Sequence, residues 1–295
     1  MTRFNEYDRL SRVALWHARD AFGGAAQIER DWRALKFTAA PDYARAVDQY
    51  DAFVDVLQSS GARVEFIAAV STELTLDAVY CRDASVVTPS GVVLARMGKP
   101  ARRGEPAAQR CSFEHWALSV PTAIDAPGQL EGGDVVWFDE RTIAVGRGYR
   151  TNVAGIDQLR AALGSAVHVE VVPLPHYRGP SDVFHLMSIL SPIDRDLAVV
   201  YSPLMPVPFR EWLTERDIAF VEVPDEEFDS MGANVLAIAP RRVLMLEGNP
   251  ITRARLEAAG AEVLTYDGSE ISVKGGGGPT CLTRPLLRDT VLRDA

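Results

Sequence analysis

The chain has 295 residues, 47% hydrophobic and 24% charged, with 31 Lys and Arg against 40 Asp and Glu for a net charge of −9. This is the composition of a globule with a sizeable core, not of a disordered or collagen-like chain. The negative sum disfavours a nucleic-acid backbone and mildly favours a small cationic partner.

The three cysteines, Cys81, Cys111 and Cys281, show neither CxxC nor zinc-type spacing, so no disulfide framework is implied. The polar start MTRFNEYDRL and the lack of an apolar run of about 18 residues speak against a signal peptide or a membrane span. A cytoplasmic setting is the expectation.

In chain order, RVALWHA reads as a strand, PDYARAVDQYDAFVDVLQSSG as a helix and ARVEFI as a strand. ASVVT from Ala84 then turns at Pro89-Ser90-Gly91 into VVLARM, followed by the helix-like EPAAQRCSFEHWAL and the strand SVPTAI. DVVWF from Asp134 turns at Asp139-Glu140-Arg141 into TIAVG, then a helix capped by Thr151 or Asn152 and stopped at Gly164, then AVHVEVVPL. MSILS from Met187 is expected to turn through Pro192 to Asp196 into LAVVYS, then PVPFREWLTERD and IAFVEVP. VLAIA from Val235 turns at Pro240-Arg241-Arg242 into VLMLE, then a helix from Pro250 to Gly260, then AEVLTY. Finally LTRPLL, after Cys281, can pair with RVALWHA and complete a fifth unit across the termini. The unit is strand, strand, helix, strand; five of them closed by the chain ends give a propeller-like ring without open edges, one domain over residues 1–295.

The residues at the entry to each unit's first strand are Asp83, Glu131, His185, Asn234 and Cys281, at intervals of 48, 54, 49 and 47. In a five-fold ring, equivalent positions converge on the axis. Two carboxylates, an imidazole, an amide and a thiol would then meet at one point. Cys281, after the glycines Gly275 to Gly278, is the candidate nucleophile, and His185 can assist it or protonate a leaving group. Two carboxylates beside such a pair suit a planar cation, because Asp83 and Glu131 can each accept paired N–H bonds from a guanidinium and turn its carbon toward the thiolate. Cys81 and Cys111, and His17, His115, His168 and His176, read as structural or solvent-facing. Neither metal-ligand spacing nor a nucleotide-binding glycine motif is present.

The segments YCRDASVVT, RMGKPARRGE, LEGGDVVW, VGRGYRTN, FHLMSILSP and GGGGPTCLT, spread over nearly the whole chain, resemble the guanidino-group modifying (pentein) superfamily, most closely its dimethylarginine dimethylaminohydrolase-like branch. The resemblance implies an α/β fold, a five-bladed αβ-propeller of pseudo-five-fold ββαβ modules. It implies no metal or organic cofactor, and a Cys-His-acid centre: Cys281 as nucleophile, His185 as general acid/base, Glu131 and Asp83 as guanidinium-binding carboxylates, and Asp77 as a further acid. Arg96 and Arg150 resemble the arginines that hold the substrate carboxylate, a role a planar fork suits.

Arg82, where dimethylargininase-like chains often carry an acid, resembles arginine deiminases instead. Met187 stands where the motif HLKS has lysine and deiminases have aspartate. The implied activity is hydrolysis of arginine or an Nω-methylated arginine to citrulline plus an amine or ammonia through a Cys281 thiouronium. Arginine deiminase or dihydrolase chemistry, amidino transfer and a non-catalytic guanidinium-binding protein stay open beside it. The expected partner is a small cationic guanidino substrate, not nucleic acid or membrane; a homodimer is compatible with exposed propeller rims.

Overall fold

The computed structural model describes residues 4–68, 74–180, 182 and 184–289. Its strands in chain order are β1 (Arg9–Leu15), β2 (Arg63–Phe66), β3 (Ser85–Thr88), β4 (Gly91–Leu94), β5 (Thr122–Ala123), β6 (Val135–Asp139), β7 (Thr142–Arg147), β8 (His168–Pro173), β9 (Leu190–Asp194), β10 (Leu197–Val200), β11 (Ala219–Glu222), β12 (Leu236–Ala239), β13 (Arg242–Leu246), β14 (Glu262–Tyr266) and β15 (Arg284–Asp289). They form five three-stranded sheets, ordered β3-β4-β5, β6-β7-β8, β11-β10-β9, β12-β13-β14 and β15-β1-β2. In every sheet the middle strand pairs antiparallel with one neighbour and parallel with the other. A parallel neighbour needs a crossover. Helices at 43–59, 105–115, 153–163, 207–214 and 250–258 supply it. The result is the five-bladed αβ-propeller, with the blade that joins the two chain ends closing the ring.

Local chemistry sets the boundaries. Asn152 caps its helix by accepting the Gly155 N–H, and Gly164 ends it at φ 73°. Asp42 does the same for the long helix by accepting from Arg45. The hairpin turns are tighter than the sequence suggests. Pro192 lies inside β9 opposite Ala198, and only Arg195 and Asp196 turn the chain. Proline is tolerated there because β9 is an edge strand of its sheet, where a missing N–H can point off the ladder. Met187 and Ser188 belong to a 3₁₀ turn before β9 rather than to the strand.

Two helices that the sequence pattern did not announce, Ala18–Phe22 and Ala25–Leu35, fill the first crossover. They carry Phe22, Ile28 and Leu35 into the largest core cluster, with Trp16, Tyr50 and Phe53. None of the helices in the described residues is long and apolar enough to cross a membrane.

Candidate active site

Each of the five entry positions sits on the short turn that feeds the first strand of a sheet. Glu131 and His185 are the N-caps of one-turn 3₁₀ helices at Gly132–Asp134 and Leu186–Ser188. Asp134 couples those two turns. Its carboxylate accepts the Leu186 N–H at 3.0 Å and the Thr151 hydroxyl at 2.6 Å, and Thr151 in turn accepts the Glu131 N–H at 3.1 Å. The Gly132-Gly133 pair makes the approach possible. A Cβ on Gly133 would stand 2.7 Å from both Asp83 Oδ1 and His185 Nδ1.

The buried His185 ring pairs through Nε2 with Glu131 Oε2 at 2.7 Å, and its Nδ1 lies 3.8 Å from Asp83 Oδ1. Burial works against the imidazolium, but Asp83, Asp134 and Glu131 outweigh it and hold the group up to about 9. Burial also works against the Glu131 carboxylate. His185, Arg102 and Arg150 overcome it and keep Glu131 below the usual carboxylate range. His185 is therefore a cation at neutral pH, oriented by an anion.

Cys281 is partly exposed and accepts the Asn234 side-chain N–H at 3.3 Å. Asn234 is fixed by the Thr280 N–H and hydroxyl on its Oδ1, at 3.0 and 2.6 Å. Burial and the Asp83 charge push the thiol up to about 11, against smaller contributions from Asn234, Gly278 and Thr280. The resting sulfur is a neutral thiol. Of the four glycines before it, Gly276 takes a left-handed φ of 75°, while Gly277 is there for space: its Cβ would meet the Tyr80 ring at 2.4 Å and the Cys281 Cβ at 3.1 Å.

Cys281, His185, Asp83 and Asp77 line one cavity of about 340 Å³, together with Tyr80, Lys99 and Arg102. Lys36, Arg178, Asp182, Asp229 and Lys274 border it as well. Asp83 Oδ2 accepts from Arg102 at 2.6 Å and Oδ1 from the Gly133 N–H at 3.0 Å. Arg102 is itself clamped by Glu105 through two bonds of 2.8 Å. Asp77 carries Lys99 at 2.5 Å. Asp83, Glu131 and His185 are the described group whose ligand atoms lie close enough for a metal ion. Those atoms already hold Arg102 and each other.

Three expectations change. Glu131 does not face the cavity: it is fully buried, with Oε2 on His185 and Oε1 on the Gly98 N–H at 2.9 Å. It therefore orients the imidazole instead of gripping a guanidinium. Arg96 is not among the cavity-lining residues; its guanidinium donates to the Gly128 carbonyl at 3.1 Å and its backbone bridges to Leu130. Arg150, also buried, lies 3.7 Å from Glu131 Oε1 and donates to the Asp182 carbonyl at 3.1 Å, behind the cavity wall.

Arg82 and Met187, the two departures from the related motifs, also leave the cavity lining untouched. Arg82 turns to Glu6 at 2.9 Å, while Met187 packs into the core. Sequence reasoning missed Arg102, although it lies in the quoted segment RMGKPARRGE, and missed Asp134, the acid that ends LEGGD. For Asp134 the signal was an acid three residues after Glu131; for Arg102 it was only its place in that quoted segment.

Comparison with known proteins gives a consistent picture. The family model for eukaryotic N,N dimethylarginine dimethylhydrolase matches residues 26–288. A dimethylarginine dimethylaminohydrolase of Streptomyces coelicolor is 34% identical over 242 residues, 82% of this chain and 86% of that protein. A mutant Pseudomonas aeruginosa dimethylarginine dimethylaminohydrolase, solved as a complex with citrulline, superposes with a TM-score of 0.70 at 24% identity, over 95% of this chain and 100% of that one. An amidinotransferase of saxitoxin biosynthesis from Microseira wollei has a TM-score of 0.77 at 17% identity, over 99% of this chain and 98% of that one. At these identities the two structures show the fold.

Proposed function

The chain belongs to the dimethylarginine dimethylaminohydrolase family of the pentein superfamily, and we propose that it hydrolyses the guanidino C–N bond of arginine or an Nω-methylated arginine. The observation that carries this reading is one cavity holding a partly exposed thiol, the carboxylates of Asp83 and Asp77 and an imidazolium braced by the buried carboxylate of Glu131. Asp83 and Asp77 supply negative charge for the guanidinium. Arg178 and Lys274, which also line the cavity and are paired with Asp229 and Glu270, suit the substrate's carboxylate end.

The resting thiol sets the order of events. A bound guanidinium offsets the Asp83 field that keeps the proton on sulfur, so substrate binding releases that proton to solvent and leaves the thiolate. The Cys281 sulfur then bonds to the guanidinium carbon. His185 gives its proton to the departing nitrogen as the C–N bond breaks, and a thiouronium is left on Cys281. His185, now neutral, takes a proton from water, and the hydroxide adds to the same carbon. The C–S bond breaks, the hydroxyl proton passes to the departing Cys281 sulfur and the ureido product leaves, with the neutral thiol and the imidazolium restored. Glu131 stays ionised throughout and stabilises the imidazolium at both proton transfers.

The test is mass-spectrometric product analysis with arginine, monomethylarginine, dimethylarginine, agmatine and guanidino acids, with Cys281→Ala as control. Citrulline with dimethylamine or methylamine supports the methylarginine reading, and citrulline with ammonia places free arginine first. Turnover retained in Cys281→Ala overturns the assignment. A Cys281-dependent product formed only when an acceptor amine is added identifies amidino transfer instead.

A further inference from the structure

A second concentration of charge lies inside the propeller, in a cavity that shares none of its lining residues with the substrate cavity. It is lined by Glu6 and Arg82, by Val86 of β3, by Val135 and Trp137 of β6, and by Arg284 and Arg288 of β15. A neighbouring cavity, again lined by Glu6 and Arg82, reaches β9 at Leu190 and β12 at Leu236. The first strands of all five sheets thus border this axial space.

Arg82, Arg284 and Arg288 are 1%, 4% and 3% exposed. Among the described residues only Arg82 has a carboxylate partner: Glu6 accepts from it at 2.9 Å. Arg284 reaches only the Ser85 carbonyl at 2.7 Å, and Arg288 the carbonyls of Asp8 and Ala237 at 2.5 and 2.9 Å. The Asp8 carboxylate is engaged by Asn5. Among the described residues, three buried cations therefore face two carboxylates, Glu6 and Asp8, of which only Glu6 is ion-paired to one of them, and buried charge without full compensation is strongly unfavourable.

The unpartnered donors point to what compensates it. Among the described residues, Arg82 Nε, Arg284 Nε and both Nε and Nη2 of Arg288 have no hydrogen-bond partner, and neither has the Ser85 hydroxyl. Nε and Nη2 form one edge of the guanidinium fork, the edge that matches two oxygens on a single atom. The cavity measures about 40 Å³, against roughly 10–15 Å³ needed for one water on the same measure. We propose that this axial cavity is a binding site for a compact oxyanion, a carboxylate or an inorganic oxyanion of phosphate type, gripped by the open edge of Arg288 and flanked by Arg82 and Arg284.

Burial depresses Arg284 to about 9, helped by Arg82, and Arg288 to about 10, yet both stay charged at neutral pH and present a cationic wall. The anion would steady the active site from behind. Arg82 precedes Asp83, and its N–H donates to the Cys281 carbonyl at 3.2 Å.

The test is equilibrium dialysis of the intact protein against labelled inorganic phosphate and, separately, labelled formate in constant sodium chloride. Urea-unfolding midpoints are followed in parallel. Neither readout uses turnover. Saturable binding of one ion per chain, with a midpoint that rises and levels off, supports the site; formate alone marks a carboxylate, and phosphate marks a tetrahedral oxyanion. Arg288→Lys keeps the charge but not the fork and is expected to weaken binding by about tenfold.

General exclusion of the salt from the protein surface instead raises the midpoint without saturation in wild type and variant alike. That outcome, with no bound ion in dialysis, overturns the proposal. Should Arg288→Lys not fold, a selenate soak of wild-type crystals decides: an anomalous peak among Arg82, Arg284 and Arg288 supports the site, and its absence overturns it.

Discussion

At the scale of single residues, the division of work between Asp83 and Glu131 matters most. Both were legible as acids at the ring axis, but register alone does not say which one faces the cavity. Glu131 is fully buried against His185, so its charge is felt through the imidazole. Because the pKa of His185 is raised to about 9, the proton-donating imidazolium persists at neutral pH and is lost as pH climbs through that value. Glu131→Gln removes part of the field that holds it up. The variant should lose about 10²-fold or more in kcat, and the alkaline limb of its pH–rate profile should move toward neutrality. An unchanged limb would show that Glu131 does not act through His185.

The thiol gives a second prediction at this scale. With Cys281 raised to about 11, a neutral alkylating agent such as iodoacetamide should react slowly at pH 7 and gain about tenfold per pH unit on the way up. A cationic haloacetamidine brings its own positive charge to Asp83 and should label Cys281 much faster than iodoacetamide at neutral pH. Equal rates for the two reagents would contradict activation by the substrate's charge.

At the scale of elements, the site depends on close approaches between turns. The four-glycine loop was read as a permissive backbone, but at Gly277 the need is for volume beside Tyr80 and Cys281. Gly277→Ala should therefore abolish amidine labelling and turnover while the fold survives, as read by far-UV circular dichroism. Labelling at the wild-type rate would refute the packing argument.

The 3₁₀ turn at Pro100–Arg102 works differently, through a long side chain. Arg102 crosses to Asp83 and Glu105, all three nearly fully buried. Arg102→Met strands two carboxylates and should cost about 3–5 kcal/mol in urea unfolding; a loss below about 1 kcal/mol would mean that the pairs are replaceable. Neither role could be read from the sequence, because Gly277 meets the Tyr80 ring of another unit and Arg102 reaches back across its own unit to Asp83. The helices between Ala18 and Leu35 were missed for a related reason: they are an insertion into the repeat, with no counterpart in the other units.

At the scale of the molecule, the ring was the most legible feature. Apolar strand pairs, turn residues and a helix recurred often enough to set the unit, and the leftover strands at the two ends could only complete it together, as β15 and β1 do. Asp83, His185, Asn234 and Cys281 followed from that register. The substrate-carboxylate arginines did not. Arg96 and Arg150 belong to the blades beside the cavity, but a carbonyl or carboxylate captures each before it reaches the lining. The same ring gives the axis two compartments, one of mixed charge around Asp83 and a cationic one around Arg82, made by adjacent residues that face different ways.

The central claim is that the guanidino carbon passes through a covalent bond to Cys281. Rapid acid quench of turnover with guanidino-¹³C-labelled substrate, followed by peptide mass analysis, tests it directly. A labelled thiouronium is expected on the Cys281 peptide, rising before product, decaying with it and missing in Cys281→Ser. Steady product formation with no adduct on that peptide at any time would contradict it.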